Sequence, residues 1–189
     1  MPEMPSDDTR VHDVLIVGGG LVGASLAIAL DALGLDVGLV EAAPAGTLPT
    51  VFDQRNLSFA AATVNALTAL GVMQRLQGPP GPIRRIHVSR AGDFGAVRLE
   101  ASEHGREAFG GVVLARELGQ ALESRLADCA GLVRHRPARV VAVAPEPEGP
   151  VVTVEQDGDT RRLRTRLLVA ADGSRSLARA AWGIGTQEH

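Results

Sequence analysis

The 189-residue chain has no lysine and no tyrosine, and all 19 of its basic residues are arginine. Without lysine, no Schiff base can form with a carbonyl substrate and no P-loop lysine can reach a triphosphate. Aromatic residues make up 3%, too few for a platform on which nucleic-acid bases stack. The net charge of −3 likewise speaks against a general nucleic-acid binder. The single Cys129 cannot form an internal disulfide, which fits a reducing cytoplasm. At the end of LESRLADCAG it reads as a small packing residue. His12, His87, His104, His135 and His189 lack metal-ligand spacing, so no metal is expected and they read as surface or structural. The charge-free run at 14–30 is short for a membrane span and holds four glycines. The acidic PEMPSDDTRVHD before it is wrong for a signal sequence.

What the chain does have is hydrophobic content of 45%, enough for the core of one domain or slightly more. Residues 14–41 read VLIVGGGLVGASLAIALDALGLDVGLVE: apolar strand, glycine turn, helix, second apolar strand, acid. Gly18, Gly20 and Gly23 have the G-x-G-x-x-G spacing of a dinucleotide fingerprint. Gly18 permits the tight turn, Gly20 lets a pyrophosphate approach bare backbone, and Gly23 lets the helix pack close to the strand. The helix start then offers free N–H groups and a positive dipole end. Glu41, ending the second strand, can accept hydrogen bonds from a ribose 2′-OH and would repel a 2′-phosphate. This motif alone does not separate FAD from NAD.

The remaining pattern predicts a fold of the α/β class. Residues 1–12 read as a disordered, frayed N-terminus, followed by a strand at 13–17, a helix at about 21–34 and a strand at 36–40. Residues 42–58 read as loop and 59–70 as helix, and GPPGP at 78–82 is a rigid break. A hairpin about Ala-Gly-Asp follows, and 114–129 reads as an amphipathic helix. Strands at LVRHRP and RVVAVAP, two more joined by Asp-Gly, and an apolar strand ending at Asp172 complete the pattern. A β-rich insertion is expected at about 83–113, within one FAD- or NAD-binding domain over 13–189 and not as a separate domain. Arg162, Arg164 and Arg166 share one face of a strand and read as a solvated edge.

A second motif lies at 169–179, VAADGSRSLAR, where a buried strand gives way to a helix. Open α/β sheets bind ligands at that kind of position. Asp172 can accept hydrogen bonds, Gly173 lets the chain reverse, and Ser174 can cap the short helix. Arg179 reads as structural, paired with a carboxylate on the sheet.

Together the two motifs resemble the class A flavoprotein monooxygenases, the family of para-hydroxybenzoate hydroxylase. FDQRNLSFAAATVNALTALGV, IHVSRAGDFG and GGVVLARELGQAL resemble the ubiquinone-biosynthesis branch, of the 2-octaprenyl-6-methoxyphenol hydroxylase type. The resemblance implies a Rossmann-like FAD-binding fold, a parallel sheet with inserted antiparallel β elements. It implies FAD held by Gly18, Gly20, Gly23, Glu41, Asp172 and Gly173, with Arg55 near the flavin pyrophosphate and Arg116 opening a helix beside the cofactor. It further implies NAD(P)H as reductant, O₂ as oxygen source and a polyprenyl phenol as substrate. The implied setting is cytoplasmic, peripheral to the inner membrane and in association with other proteins of the pathway. A third family motif, Gly-Asp then small residues and His, does not occur before His189. The resemblance therefore implies a truncated, N-terminal portion of an enzyme, with little turnover by these residues alone. Another FAD- or NAD-dependent oxidoreductase, or a non-catalytic dinucleotide-binding remnant, would carry the same first motif.

Overall fold

The computed structural model describes residues 6–92, 94–174 and 176–187. Residues 1–5 of the segment expected to be frayed, the Asp of the expected hairpin turn and His189 lie outside the described residues. The chain divides into two compact units, residues 1–51 with 122–189, and Phe52–Ala121.

The first unit is built on one six-stranded sheet. Its strands are β1 (Ser6–Val17), β2 (Val37–Val40), β8 (Leu132–His135), β9 (Arg139–Glu146), β10 (Gly149–Gln156) and β11 (Asp159–Ala170). They lie in the order β8-β2-β1-β11-β10-β9. β8, β2, β1 and β11 are parallel, while β10 runs antiparallel to β11 and to β9. This is the expected parallel sheet with antiparallel elements added. Alternation sorts the two faces of β1. Leu15 and Val17 join Val40, Ala138, Val152, Val154 and Leu163 in a buried cluster. Ile16 faces helix α1 (Leu21–Asp31), whose Gly23, Ala24, Ala27 and Ile28 are buried. The small residues on α1 let its backbone come close to the strands. Gly34, with φ +68, follows the helix as a left-handed stop.

Three differences from the sequence reading concern this unit. β1 begins at Ser6, so the strand takes in residues assigned to a frayed N-terminus; its early half pairs with Arg161, Arg162 and Arg164 of β11. β11 is a single 12-residue strand that absorbs what the pattern divided in two. It is also an interior strand, so its arginines do not mark an edge. Arg164 Nη1 lies 3.2 Å from Glu146, Arg162 pairs with the same carboxylate, and Arg166 lies 2.9 Å from Asp13. The local pattern could not show which strands flank β11.

His12 and His135 are both buried. His12 Nδ1 lies 2.6 Å from Asp36 Oδ1, and its Nε2 lies 3.1 Å from His135 Nε2. An ionised Asp36 only accepts, so His12 Nδ1 carries the proton. A Cβ on Gly38 would stand 2.6 Å from Leu15 Cδ1 and 3.0 Å from His12 Nε2, so the glycine makes room for both side chains. Burial pushes the Asp36 carboxyl up, but hydrogen bonds from Arg10 and His12 outweigh it and hold the group below the ordinary range.

The second unit contains strands β3 (Asn56–Ala60), β4 (Gly81–Pro82), β5 (Arg85–Ser89), β6 (Ala96–Glu100) and β7 (Gly110–Leu114), with helix α2 (Ala61–Ala69). β3, β7 and β4 form a three-stranded sheet, and β5 with β6 forms the expected hairpin. The chain leaves the unit within helix α3 (Ala115–Leu126). Phe52 packs where Gly119 of α3 has no side chain; a Cβ there would lie 2.6 Å from its ring. The unit is wider than the insertion expected at 83–113, because β3 pairs with the far strand β7. β3 also takes Asn56–Ser58 from the expected loop, and β4 takes two residues of the expected break.

Cys129, beyond the end of α3, is buried, and burial raises its thiol, followed by the charge of Asp31. No helix of the described residues is long and apolar enough to cross a membrane.

Candidate dinucleotide site

The two sequence motifs meet in the first unit, at the C-terminal ends of β1, β2 and β11. Gly18 N donates to Val40 O at 2.9 Å, and Ala171 N donates to Val17 O at 2.8 Å. Leaving β1, the chain turns at Gly18 with φ +104, against the start of the second motif. A Cβ on Gly18 would lie 2.4 Å from Ala171 O. A Cβ on Gly23 would lie 1.9 Å from Gly18 O, so the helix can approach the turn only without a side chain there. These two glycines are required by the protein's own packing.

Gly20 is different. Its φ of −69 and ψ of −170 are open to any residue, and a Cβ would meet only Val51 Cγ2, at 3.5 Å. Among the described residues nothing demands glycine at this position. Gly20 is also the N-cap of α1, where no side chain caps the helix and no acid occupies the first turn. The first intrahelical bond is Ala24 N to Gly20 O, at 2.9 Å. The N–H groups of Leu21, Val22 and Gly23 precede that bond, and the helix start carries the positive end of the dipole.

Glu41 follows β2 and is tied down on both oxygens. Oε2 accepts from Gly19 N and Oε1 from Ala43 N, each at 2.7 Å. Each oxygen keeps a further lone pair that can accept another hydrogen bond. The spacing argument assigned no role to Gly19. A Cβ there would fall 2.8 Å from Glu41 Oε2, so Gly19 is bare because Glu41 needs its amide.

Asp172 and Gly173 follow β11. Asp172 Oδ2 accepts from Leu177 N at 2.9 Å, while its Oδ1 is buried without a partner among the described residues. Gly173, with φ +83, makes the reversal. Helix α4 (Leu177–Ala181) is capped by Ser176, whose Oγ accepts from Arg179 N at 3.0 Å, and not by Ser174 as expected. Arg179 Nη2 donates to Ser174 O at 2.8 Å, a carbonyl in place of the expected carboxylate. A crevice of about 450 Å³ opens between Gly18, Gly20, Glu41, Val51, Asp172 and Gly173. A second hollow of about 290 Å³ shares Gly18, Glu41 and Asp172 and is walled by Val17, Val40 and Val140. A bare backbone, a helix start, an acceptor carboxylate and a buried unpaired oxygen between apolar walls fit an adenine dinucleotide.

Arg55 and Arg116 lie in the second unit and are brought together through Asp53. Arg116 N donates to Asp53 O and Ala115 N to Arg55 O, both at 2.9 Å. The Arg55 amide and guanidinium beside Asp53 hold its carboxyl below the usual range, and the Arg55–Asp53 ion pair is 2.7 Å. Both arginine side chains are exposed. Among the described residues no group of three or more His, Cys, Asp or Glu could hold a metal ion.

The FAD-binding domain family matches residues 11–189. The chain belongs to that family. It is 36% identical over 93% of its length to ubiquinone hydroxylase UbiL of Rhodospirillum rubrum, of which it covers 40%. It is 33% identical over 93% of its length to the uncharacterized protein slr1300 of Synechocystis, covering 42%. The chain thus spans about two fifths of the length of these relatives. Among solved structures it matches CabE, an aromatic hydroxylase from angucycline biosynthesis. There the TM-score is 0.74 and the identity 28%, over 92% of this chain and 33% of that one. The FAD-binding fold of the para-hydroxybenzoate hydroxylase kind, and FAD as the cofactor of the family, are borne out.

Proposed function

We propose that this chain forms the FAD-binding portion of an aromatic hydroxylase. In this reading the enzyme takes NAD(P)H and O₂ and acts on a polyprenyl phenol of ubiquinone biosynthesis. It works at the membrane surface, beside other proteins of the same pathway. The observation that carries the cofactor assignment is Gly20, a glycine that no contact among the described residues requires. The kinship to UbiL supports the substrate class. When bound, FAD supplies the redox chemistry, and the protein contributes position and polarity.

The residues divide that work. Gly18 and Gly23 set the turn, and Gly20 with the α1 start receives the pyrophosphate. Glu41 receives the adenosine ribose and disfavours a 2′-phosphate. Asp172 Oδ1 takes a donor from the cofactor, and Gly173 lets the backbone reverse beside it. Arg55 and Arg116 are the cationic candidates of the second unit. The test uses the protein that carries this chain. Flavin absorbance on purification, and phenol-dependent oxidation of NAD(P)H with a hydroxylated product, are the expected results. NAD binding with no flavin retained would refute the reading in favour of a nicotinamide dehydrogenase.

A further inference from the structure

Arg136 follows β8, and its side chain is 5% exposed. Its guanidinium meets three acceptors. Nε donates to Ala43 O at 2.6 Å, Nη1 to Glu123 Oε1 at 2.6 Å, and Nη2 to Thr47 O. Glu123 is in turn held by Arg134 Nη2 at 2.6 Å. Two of the three acceptors belong to the stretch after Glu41, which leads into the Pro49–Val51 wall of the crevice. That stretch is folded on itself, with Thr47 N and Oγ1 both donating to Pro44 O. The backbone beside Arg136 flanks Glu41 as well. Glu41 N donates to His135 O at 3.0 Å, and Ala138 N donates to Glu41 O at 2.8 Å.

Ala43 is the point at which these contacts converge. Its N–H is taken by Glu41 Oε1 and its C=O by Arg136 Nε. A guanidinium offers donors in a rigid planar fork, so it can fix three acceptors at once. Arg136 holds the carbonyl and Glu41 the amide of the same residue, so the backbone at 43 is anchored from both sides. The Glu41 carboxylate is thereby held against the glycine turn, where Glu41 lines the crevice. We infer that Arg136 is a positioning residue for the dinucleotide: through Ala43 it sets the Glu41 carboxylate that receives the adenosine ribose. This rests on the reading of the crevice as the adenosine-diphosphate site.

The experiment is a double-mutant cycle of Arg136→Met and Glu41→Ala, read by calorimetric titration with ADP and with FAD. Circular dichroism and thermal melting report on the fold. Loss of one hydrogen bond to a charged group predicts an affinity loss of about tenfold for Arg136→Met with both ligands. If Arg136 acts through Glu41, Arg136→Met weakens binding no further in the Glu41→Ala background. A merely structural arginine would give additive losses, and that result overturns the inference, as does unchanged affinity in Arg136→Met. The Ala43 amide resonance, followed by NMR without ligand, should move in Arg136→Met; a stationary signal also overturns it. Should Arg136→Met not fold, Glu123→Gln loosens the guanidinium without touching the 43–47 turn. It should lower ADP affinity in the same direction by a smaller factor, and wild-type affinity there counts against the inference. A wild-type protein that binds neither ADP nor FAD refutes the dinucleotide reading itself.

Discussion

Gly20→Ala separates ligand binding from folding. Among the described residues the new Cβ would have one neighbour, Val51 Cγ2 at 3.5 Å, which is ordinary contact. The backbone at φ −69 and ψ −170 suits alanine. Lower entropy of the unfolded chain contributes about 0.4–1 kcal/mol in favour of the variant. Replacing glycine at an N-cap costs a few tenths of a kcal/mol or more and offsets this. Net stability therefore changes by less than about 1 kcal/mol, a melting shift of no more than about 2–4 °C in a chain of this size. In the crevice the same methyl stands where a phosphate would touch bare backbone. Overpacking of that kind costs about 1–3 kcal/mol, which is roughly 5- to 150-fold in affinity. The control is Gly23→Ala, whose Cβ would lie 1.9 Å from Gly18 O. It should lower the melting temperature outright. Thermal melting and FAD titration of both variants check the argument. Gly20→Ala binding FAD as tightly as the wild type would refute the assignment of Gly20 to the phosphates.

Two further predictions concern carboxylates. Asp172→Asn can keep an oxygen on Leu177 N but puts an amide where the unpaired Oδ1 now lies. FAD affinity should fall by about tenfold, the worth of one charged hydrogen bond, with little change in melting temperature. Equal affinity by titration would remove Asp172 from the site. Asp36 has a folded pKa below its ordinary 3.8. Its contribution to stability is thus complete above that value and lost as pH falls through the folded value. Acid melts of Asp36→Asn should show a shallower loss of stability below about pH 4 than those of the wild type. Parallel curves would show that the contacts with Arg10 and His12 carry no linkage.

The parts of the fold that were legible in the sequence are those written in local pattern. The turn at Gly18, helix α1 and the hairpin of β5 and β6 depend on residues a few positions apart. So do the reversal at Gly173 and helix α4. What depends on distant partners was not legible. Arginines 162, 164 and 166 looked like an edge because sequence alone does not show that β1 lies on one side of β11 and β10 on the other. The second unit looked narrower because β3 and β7 pair across the whole insertion. The site behaved likewise. The roles of Gly18 and Gly23 were readable from spacing. Gly19 needed the Glu41 contact, and Arg136 needed the three acceptors around it, two of them backbone carbonyls that no motif records.

The most direct measurement of the central claim is calorimetric titration of the chain with FAD, ADP and FMN in parallel. In the proposed reading the crevice takes the adenosine-diphosphate half, so FAD and ADP should bind competitively and with similar affinity, and FMN should not bind. Binding of FMN with no response to ADP would contradict the account.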